Sequence, residues 1–261
     1  DISLSATSVD ENVAANTTIG TLNSTDPDAS NTFTYSLVAG SGDTDNASFS
    51  IDGTSLRISN SPNYEAKNSY SVRVRTTDQG SLSYEKAFTI TINDLNEAPT
   101  DISLSGTSVD ENLADNATVA TITTTDIDAG DTFAYTLVAG DGDTDNGMFS
   151  ISGNALKLTS SANFEVKSSY SLRIRTTDQG SLTYDKAFTI TINDVNENPE
   201  DITLSLSLVD ENVAIGSLVG LLSATDPDAG NTFTFSLVAG AGDTDNASFS
   251  INGNELLIEV S

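Results

Sequence analysis

The sequence predicts an all-β protein built as a tandem array of seven-stranded Greek-key β-sandwiches. Three observations carry this prediction. Asp1-Ile2-Ser3-Leu4-Ser5 returns as Asp101-Ile102-Ser103-Leu104-Ser105, and again as Asp201-Ile202-Thr203-Leu204-Ser205, so the period is one hundred residues. Within each period the apolar residues alternate two by two, the pattern of half-buried antiparallel strands. About seven such runs fall in each hundred residues, the density of a sandwich. A chain of that length buries a core of its own, whereas solenoid repeats of roughly 20–50 residues cannot.

The strands of the first period follow in order. Asp1–Asn12 reads as one broken strand and Thr18–Ser24 as the next. Thr32–Val38 alternates Phe33, Tyr35 and Leu37 with hydroxyl residues. Ser48–Ile51 and Ser55–Ser59 flank Asp52-Gly53, a hairpin signal. Ser69–Thr77 and Lys86–Asn93 alternate Tyr70, Val72, Val74 and Phe88, Ile90, Ile92 with polar residues. Val, Ile, Thr, Tyr and Phe suit a pleated surface, and no helix is expected. The chain has neither Cys nor Trp, so the immunoglobulin disulfide and its Trp are excluded. The expected core is Phe33, Tyr35, Leu37, Phe49, Ile51, Tyr70, Val72, Val74, Phe88, Ile90 and their neighbours.

The period sets expected domain boundaries at 1–100, 101–200 and 201–261. The third repeat lacks counterparts of the last two strands, so it is expected to be marginally ordered alone or completed by another chain. Asp1 reads as the start of an excised fragment. The first two repeats agree even at solvent-facing positions, which folding alone does not require. That agreement points to recent duplication and to a function that depends on length or copy number.

Composition excludes several classes. With 38 acidic and 10 basic residues the net charge is −28, which disfavours nucleic acid and anionic membrane surfaces as partners. Without Cys or His there is no thiolate chemistry, no His-assisted catalysis and no ordinary zinc site. No run approaches the length of a transmembrane helix.

The acids gather at strand ends in five stretches: Val9-Asp10-Glu11-Asn12, Asp26-Pro27-Asp28 with Asn31, Asn63-Tyr64-Glu65, Thr77-Asp78-Gln79-Gly80, and Asn93-Asp94-Leu95-Asn96-Glu97-Ala98-Pro99. Each alone reads as a turn or a solvated loop. They recur together in the second repeat as Glu111, Asp126-Ile127-Asp128, Phe164-Glu165, Asp178 and Asp194-Val195-Asn196-Glu197. Pro27 becomes Ile127 while both Asp remain, so the carboxylates and not the turn-former are kept. Gly40-Ser41-Gly42-Asp43-Thr44-Asp45-Asn46 also recurs. It reads as a loop of turn-forming residues, with an ion held by Asp43 and Asp45 as the alternative.

On these stretches the chain resembles tandem cadherin repeats, of the kind found in bacterial surface proteins. The match lies in Val9–Asn12, the DxDxGxN-like Asp126–Asp131, the DYE-like Glu65 and Glu165, the AxDxG-like Asp78 and Asp178, and the DxNExP linkers Asp94–Pro99 and Asp194–Pro199. The resemblance implies Ca²⁺ clusters where one repeat meets the next. A first junction would use Glu11, Glu65, Asp94, Asn96, Glu97, Asp126, Asp128, Asp131 and Asp178. A second would use Glu111, Glu165, Asp194, Asn196, Glu197, Asp226, Asp228 and Asn231. Asp26, Asp28, Asn31 and Asp78 would serve a junction with a preceding repeat. The first Asp of the family's DYE stretch is Asn63 and Asn163 here, and the Asn of DxDxGxN is Asp131, so the number of ions per junction is left open.

The donor chemistry agrees independently, because carboxylate and amide oxygens suit hard Ca²⁺ rather than Zn or Cu. Mg²⁺ demands tighter octahedral geometry. An EF-hand fails because Leu37 stands where the bidentate Glu would be. The implied function is a calcium-rigidified extender of a secreted or surface adhesin, holding distal domains away from a cell. The alternative is a directly adhesive module that grips another copy of the chain or a surface glycan, with Tyr64 and Tyr84 as candidate sugar platforms. Packing is the preferred reading of both tyrosines, and an enzyme is not expected.

Overall fold

The computed structural model describes residues 1–28 and 32–260. Asn31 lies outside the described residues. The chain divides into two compact units, one of residues 1–101, 124–134 and 176–184, the other of residues 102–123, 135–175 and 185–261.

In the first unit the strands are β1 (Ile2–Leu4), β2 (Ser8–Asp10), β3 (Thr18–Ser24), β4 (Phe33–Leu37), β5 (Phe49–Asp52), β6 (Ser55–Ile58), β7 (Ser69–Asp78) and β8 (Ser83–Asn93). They form two sheets, ordered β1-β3-β6-β5 and β2-β8-β7-β4. The broken first strand has a topological cause. Its first half pairs antiparallel with β3 in one sheet, and its second half pairs parallel with β8 in the other, Val9 opposite Ile92. The strand changes sheets at the break, which leaves Asp10 and Glu11 at the end of the sandwich. Gly53, at φ +60°, opens the two-residue loop between β5 and β6, a backbone angle that favours glycine. A 3₁₀ turn at Asn46–Ser48 was not expected from the sequence.

Val9, Ile19, Phe49, Leu56, Ile58, Val72, Ile90 and Ile92 form the main core, and Ile2, Leu22 and Val74 a second cluster. Tyr35, Leu37, Ile51, Tyr70 and Phe88 pack against them half-buried. Tyr64 joins this packing, whereas Tyr84 is exposed. The Gly40–Asn46 segment is held by its own side chains. Asp43 accepts from the Gly40 N–H at 2.9 Å, and Asp45 accepts from the Ser71 N–H at 2.8 Å and pairs with Lys67. Both acids have structural partners.

The next eight strands repeat the plan: β9 (Asp101–Leu104), β10 (Ser108–Asp110), β11 (Thr118–Thr125), β12 (Ala134–Leu137), β13 (Phe149–Ser152), β14 (Ala155–Leu158), β15 (Ser169–Thr177) and β16 (Thr183–Asn193). Their sheets run β10-β16-β15-β12 and β13-β14-β11-β9. Ile102, Ile122, Phe149, Leu156, Leu158, Leu172, Ile174, Ile190 and Ile192 are buried in the second unit.

The final segment of that unit holds β17 (Asp201–Leu204), β18 (Leu218–Thr225), β19 (Phe249–Asn252) and β20 (Glu255–Ile258) in one sheet, ordered β17-β18-β20-β19. Among the described residues, 208–210 and 233–237 form no strand, although β2 and β4 occupy the matching positions. The reason is pairing: β2 and β4 hydrogen-bond to β8 and β7, whose counterparts are missing here. Val209 is accordingly 41 % exposed where Val9 is 9 %.

Candidate metal centre

The first acidic cluster lies wholly within the first unit, at the end of the sandwich where the β8 linker leaves. Glu11 is its base and is only 1 % exposed. Its two carboxylate oxygens accept backbone N–H bonds from separate segments, Tyr64 at 2.8 Å and Leu95 at 2.9 Å. One buried side chain thus ties the turn carrying Glu65 to the linker carrying Asp94. Asn12, in the left-handed region at φ +58°, turns its amide onto Glu97.

The linker is fixed from the far side as well. The Glu97 N–H donates to Asp128 Oδ2 at 2.8 Å, and Asn96 Nδ2 donates to Asp178 Oδ2 at 2.9 Å. Asp178 is 5 % exposed, and its other oxygen accepts from the Leu182 N–H. The Asp128 N–H folds back onto Asp126 Oδ1, and Gln179 Nε2 donates to Asp131 Oδ1 at 2.6 Å. Gly180 supplies the room. A Cβ there would overlap the Asn96 amide, with only 2.6 Å to Nδ2.

Three groups of carboxylates converge: Glu11 with Glu65 and Asp94, Glu65 with Glu97 and Asp128, and Asp126 with Asp128 and Asp131. Within each, the nearest oxygens lie within 4.8 Å of one another. A cleft of ≈ 280 Å³ is lined by Asp94, Asn96, Asp128, Ala129, Asp131 and Gln179. The electrostatics are unfavourable as they stand. Burial, with the charges of Glu11 and Asp128, pushes Glu97 up to about 6 against the hydrogen bond from Asn12. Desolvation, then the charges of Asp128 and Asp126, also raises Asp131.

Eight of the ten Lys and Arg side chains pair with acids outside this cluster. Arg57, Lys67, Arg73, Arg75 and Lys86 pair with Asp52, Asp45, Glu85, Glu85 and Asp1. Lys167 pairs with Asp145, and Arg173 and Arg175 with Asp185. None of these ion pairs includes a cluster acid. Glu97 Oε2, Asp126 Oδ2, Asp128 Oδ1 and Asp131 Oδ2 are instead buried without a hydrogen-bond partner. Orphaned carboxylate oxygens in a hard, all-oxygen donor set fit a divalent cation such as Ca²⁺.

The second unit holds the equivalent arrangement. Glu111, 3 % exposed, accepts from the Phe164 N–H at 2.7 Å and the Val195 N–H at 2.8 Å. Asn112 contacts Glu197, and the Glu197 N–H donates to Asp228 Oδ2 at 2.8 Å. Glu111, Glu165 and Asp194 converge, as do Glu165, Glu197 and Asp228. Asn196 donates to the Glu197 carbonyl, and Asn231 donates to Asp226 and Asp228.

At the opposite end of the first sandwich, Asp26 accepts from the Asp28 N–H at 2.9 Å and Asp78 from the Leu82 N–H at 2.8 Å. Asp26 and Asp78 line a smaller cleft of ≈ 190 Å³ with Pro27, Phe33 and Tyr84. Asn63 is explained too. Its Oδ1 accepts from the Ala66 N–H at 2.6 Å and shapes the turn, and Asn163 does the same with Val166. Asn12, Asn112, Gln179 and Gly180 are the contributors that motif reading did not single out. Asn12 lies inside the Val9–Asn12 stretch, but its contact with Glu97, like that of Asn112 with Glu197, arises only in three dimensions.

Residues 5–93 match the cadherin domain family. Human protocadherin Fat 4 is 31 % identical over 210 residues, 75 % of this chain and 4 % of that protein. The chain is built of cadherin domain repeats. Among solved structures, the extracellular cadherin domains 1-5 of protocadherin gamma B2 superpose with a TM-score of 0.65 at 22 % identity, covering 100 % of this chain and 53 % of that one. Mouse cadherin-23 EC22-24 gives 0.61 at 24 % identity, covering 97 % and 84 %. These likenesses establish the all-β tandem sandwich fold. Cadherin relatives are extracellular or cell-surface adhesion proteins rather than enzymes, and cadherin domains in general bind calcium. Among the described residues, no helix is long and apolar enough to cross a membrane.

Proposed function

We propose that these cadherin repeats are a calcium-stiffened extender of a large secreted or surface adhesin, of the bacterial type that the sequence resembles. Its domains follow the hundred-residue period, at 1–100, 101–200 and 201–261. The observation that carries the reading is the set of buried, unpartnered carboxylate oxygens where each linker meets acids from the sequence repeats before and after it. Glu11, Glu65, Asp94, Asn96, Glu97, Asp126, Asp128, Asp131 and Asp178 would hold ions at the first linker, with the counterpart set from Glu111 to Asn231 at the second. A bound Ca²⁺ supplies positive charge that turns mutual repulsion into shared coordination. This chain's residues supply the frame: Glu11 and Glu111 position the linkers, and Gly180 admits Asn96.

Without the ion, like charges at close range favour separation of the linker from its seat. Extracellular calcium modules have Kd of about 10⁻⁴–10⁻³ M, so such sites fill outside a cell and empty inside it. The first two repeats resemble each other far more than they resemble the vertebrate relatives, which supports a role set by copy number. Small-angle scattering with calcium and with chelator tests the reading. The maximum dimension should become fixed in calcium and spread to a broader distribution in chelator, and identical curves would overturn it.

Self-association is the second reading, favoured by one structural neighbour, a cis-dimer of protocadherin gammaB7 EC3-6. Calcium-dependent dimers in sedimentation equilibrium would support it over a purely spacing role.

A further inference from the structure

The second cluster has no counterpart of Asp178, and at the ligand positions that both clusters share they differ once. Where ligand residues of the first cluster have a counterpart a hundred positions on, every residue type is retained except one: Asp131 becomes Asn231. The consequences are visible in the hydrogen bonding. Around Asp131 the buried oxygens Asp126 Oδ2, Asp128 Oδ1 and Asp131 Oδ2 all lack partners. Around Asn231 the amide Nδ2 donates to Asp226 Oδ1 at 2.9 Å and to Asp228 Oδ2 at 3.4 Å, and of these three side chains only Asp228 retains a buried oxygen without a partner.

An N–H donor aimed at two carboxylates does locally what a cation would do, with less charge. To serve as a ligand, Asn231 must rotate and present its oxygen, breaking both hydrogen bonds. Asp131 needs no such change and brings one more negative charge. Calcium affinity in oxygen cages follows ligand charge and rigidity. We infer that the two clusters fill in sequence, the Asp131 cluster first, and that residue 131/231 sets their rank. The array then stiffens stepwise as calcium rises rather than at one threshold. This rests on the calcium reading above.

The chain carries its own probe. Tyr64 donates its backbone N–H to Glu11 in the first cluster, whereas Phe164 occupies the matching place in the second. Residues 201–261 contain no Tyr. Tyr170 lies against Lys167, two residues from Glu165, so in a Y170F background terbium luminescence excited through tyrosine reports mainly on the first cluster, and calcium calorimetry reports on both. In the whole 261-residue chain, calorimetry should show two phases, with the luminescence following the tighter one. D131N should shift the luminescence midpoint about tenfold or more to higher concentration. N231D should tighten the weaker calorimetric phase toward the first. A Y64F control should dim the luminescence without moving the midpoint. If calcium binds but D131N and N231D leave both phases unchanged, the ranking is wrong while the calcium reading stands. If neither calcium heat nor luminescence appears in any variant, the calcium reading fails and takes the ranking with it.

Discussion

Gly180 shows how a residue without a side chain can hold a linker. Its φ is not in the left-handed region, so an Ala there is free of backbone strain, and the nearest atoms its Cβ would meet are those of the Asn96 amide. Gly80, its counterpart, would place a Cβ no nearer than 3.3 Å, to its own repeat's Asp78. G180A should therefore cost about 1–3 kcal/mol through overpacking, and G80A within about 0.5 kcal/mol, as at an ordinary surface site. Thermal melts of the two variants decide this, and equal losses would refute the socket. Glu11 is the opposite case, a buried charge that satisfies two backbone donors. E11A strands both N–H groups and should cost about 2–4 kcal/mol, whereas E11Q keeps one acceptor and should cost less. The ligand-type acids were legible in the sequence because Asp26-Pro27-Asp28 or Asp94-Leu95-Asn96-Glu97 are contiguous and recur. The roles of Gly180, Gln179 and Asn12 were not, because they depend on approaches between segments far apart in sequence, 48 residues for Gln179 with Asp131 and 85 for Asn12 with Glu97, or on a turn's exact angle. Asn63 looked like a ligand lost and proves to be a turn-shaping side chain gained.

Pairing explains the elements. Each long hairpin, β7–β8 or its counterpart β15–β16, is the centre of its sheet. It supports a short parallel strand on one side and the β4-type strand on the other. Alternation in Phe33–Leu37 predicted that strand correctly in the first repeat. The same alternation in Phe233-Thr234-Phe235-Ser236-Leu237 produces none, although the residues are nearly the same. Local pattern states what a segment can do, and a partner's N–H and C=O groups decide whether it does so. The break in Asp1–Asn12 has the same origin, since a change of sheet leaves little local signature. Hydrogen exchange should follow pairing and not sequence. Amides of 233–237 and 208–210 should exchange far faster than those of 33–37 and 8–10, while β18 and β20 stay comparatively protected. Equal protection in the two sets would contradict the absence of the second sheet.

The charge of the whole molecule makes these local arrangements depend on pH. Two groups of carboxylates pull in opposite directions. Glu97 sits at about 6, above its ordinary 4.5, and Glu65, Asp94, Asp131, Glu165, Asp194 and Glu197 are also raised. Between the unfolded and folded values the native chain binds protons that the unfolded chain does not, so stability rises as pH falls from 7 toward about 5. Asp45, Glu85, Asp145 and Asp185 are lowered, by Lys67, Arg75 with Arg73, Lys167, and Arg175 with Arg173. Their contribution is complete above the ordinary carboxylate range and is lost as pH falls through their folded values, below about 4. The calcium-free chain should therefore have its highest melting temperature near pH 5. Bound calcium competes with those protons and holds the cluster acids ionised, so in excess calcium the optimum should move back to neutral pH, with a higher melting temperature throughout. Melts at unit steps from pH 4 to 8, in chelator and in calcium, measure both curves. Coincident curves would mean that the ion and the protons do not share a site, and the raised carboxylates would then be an ordinary consequence of crowding at a sandwich end.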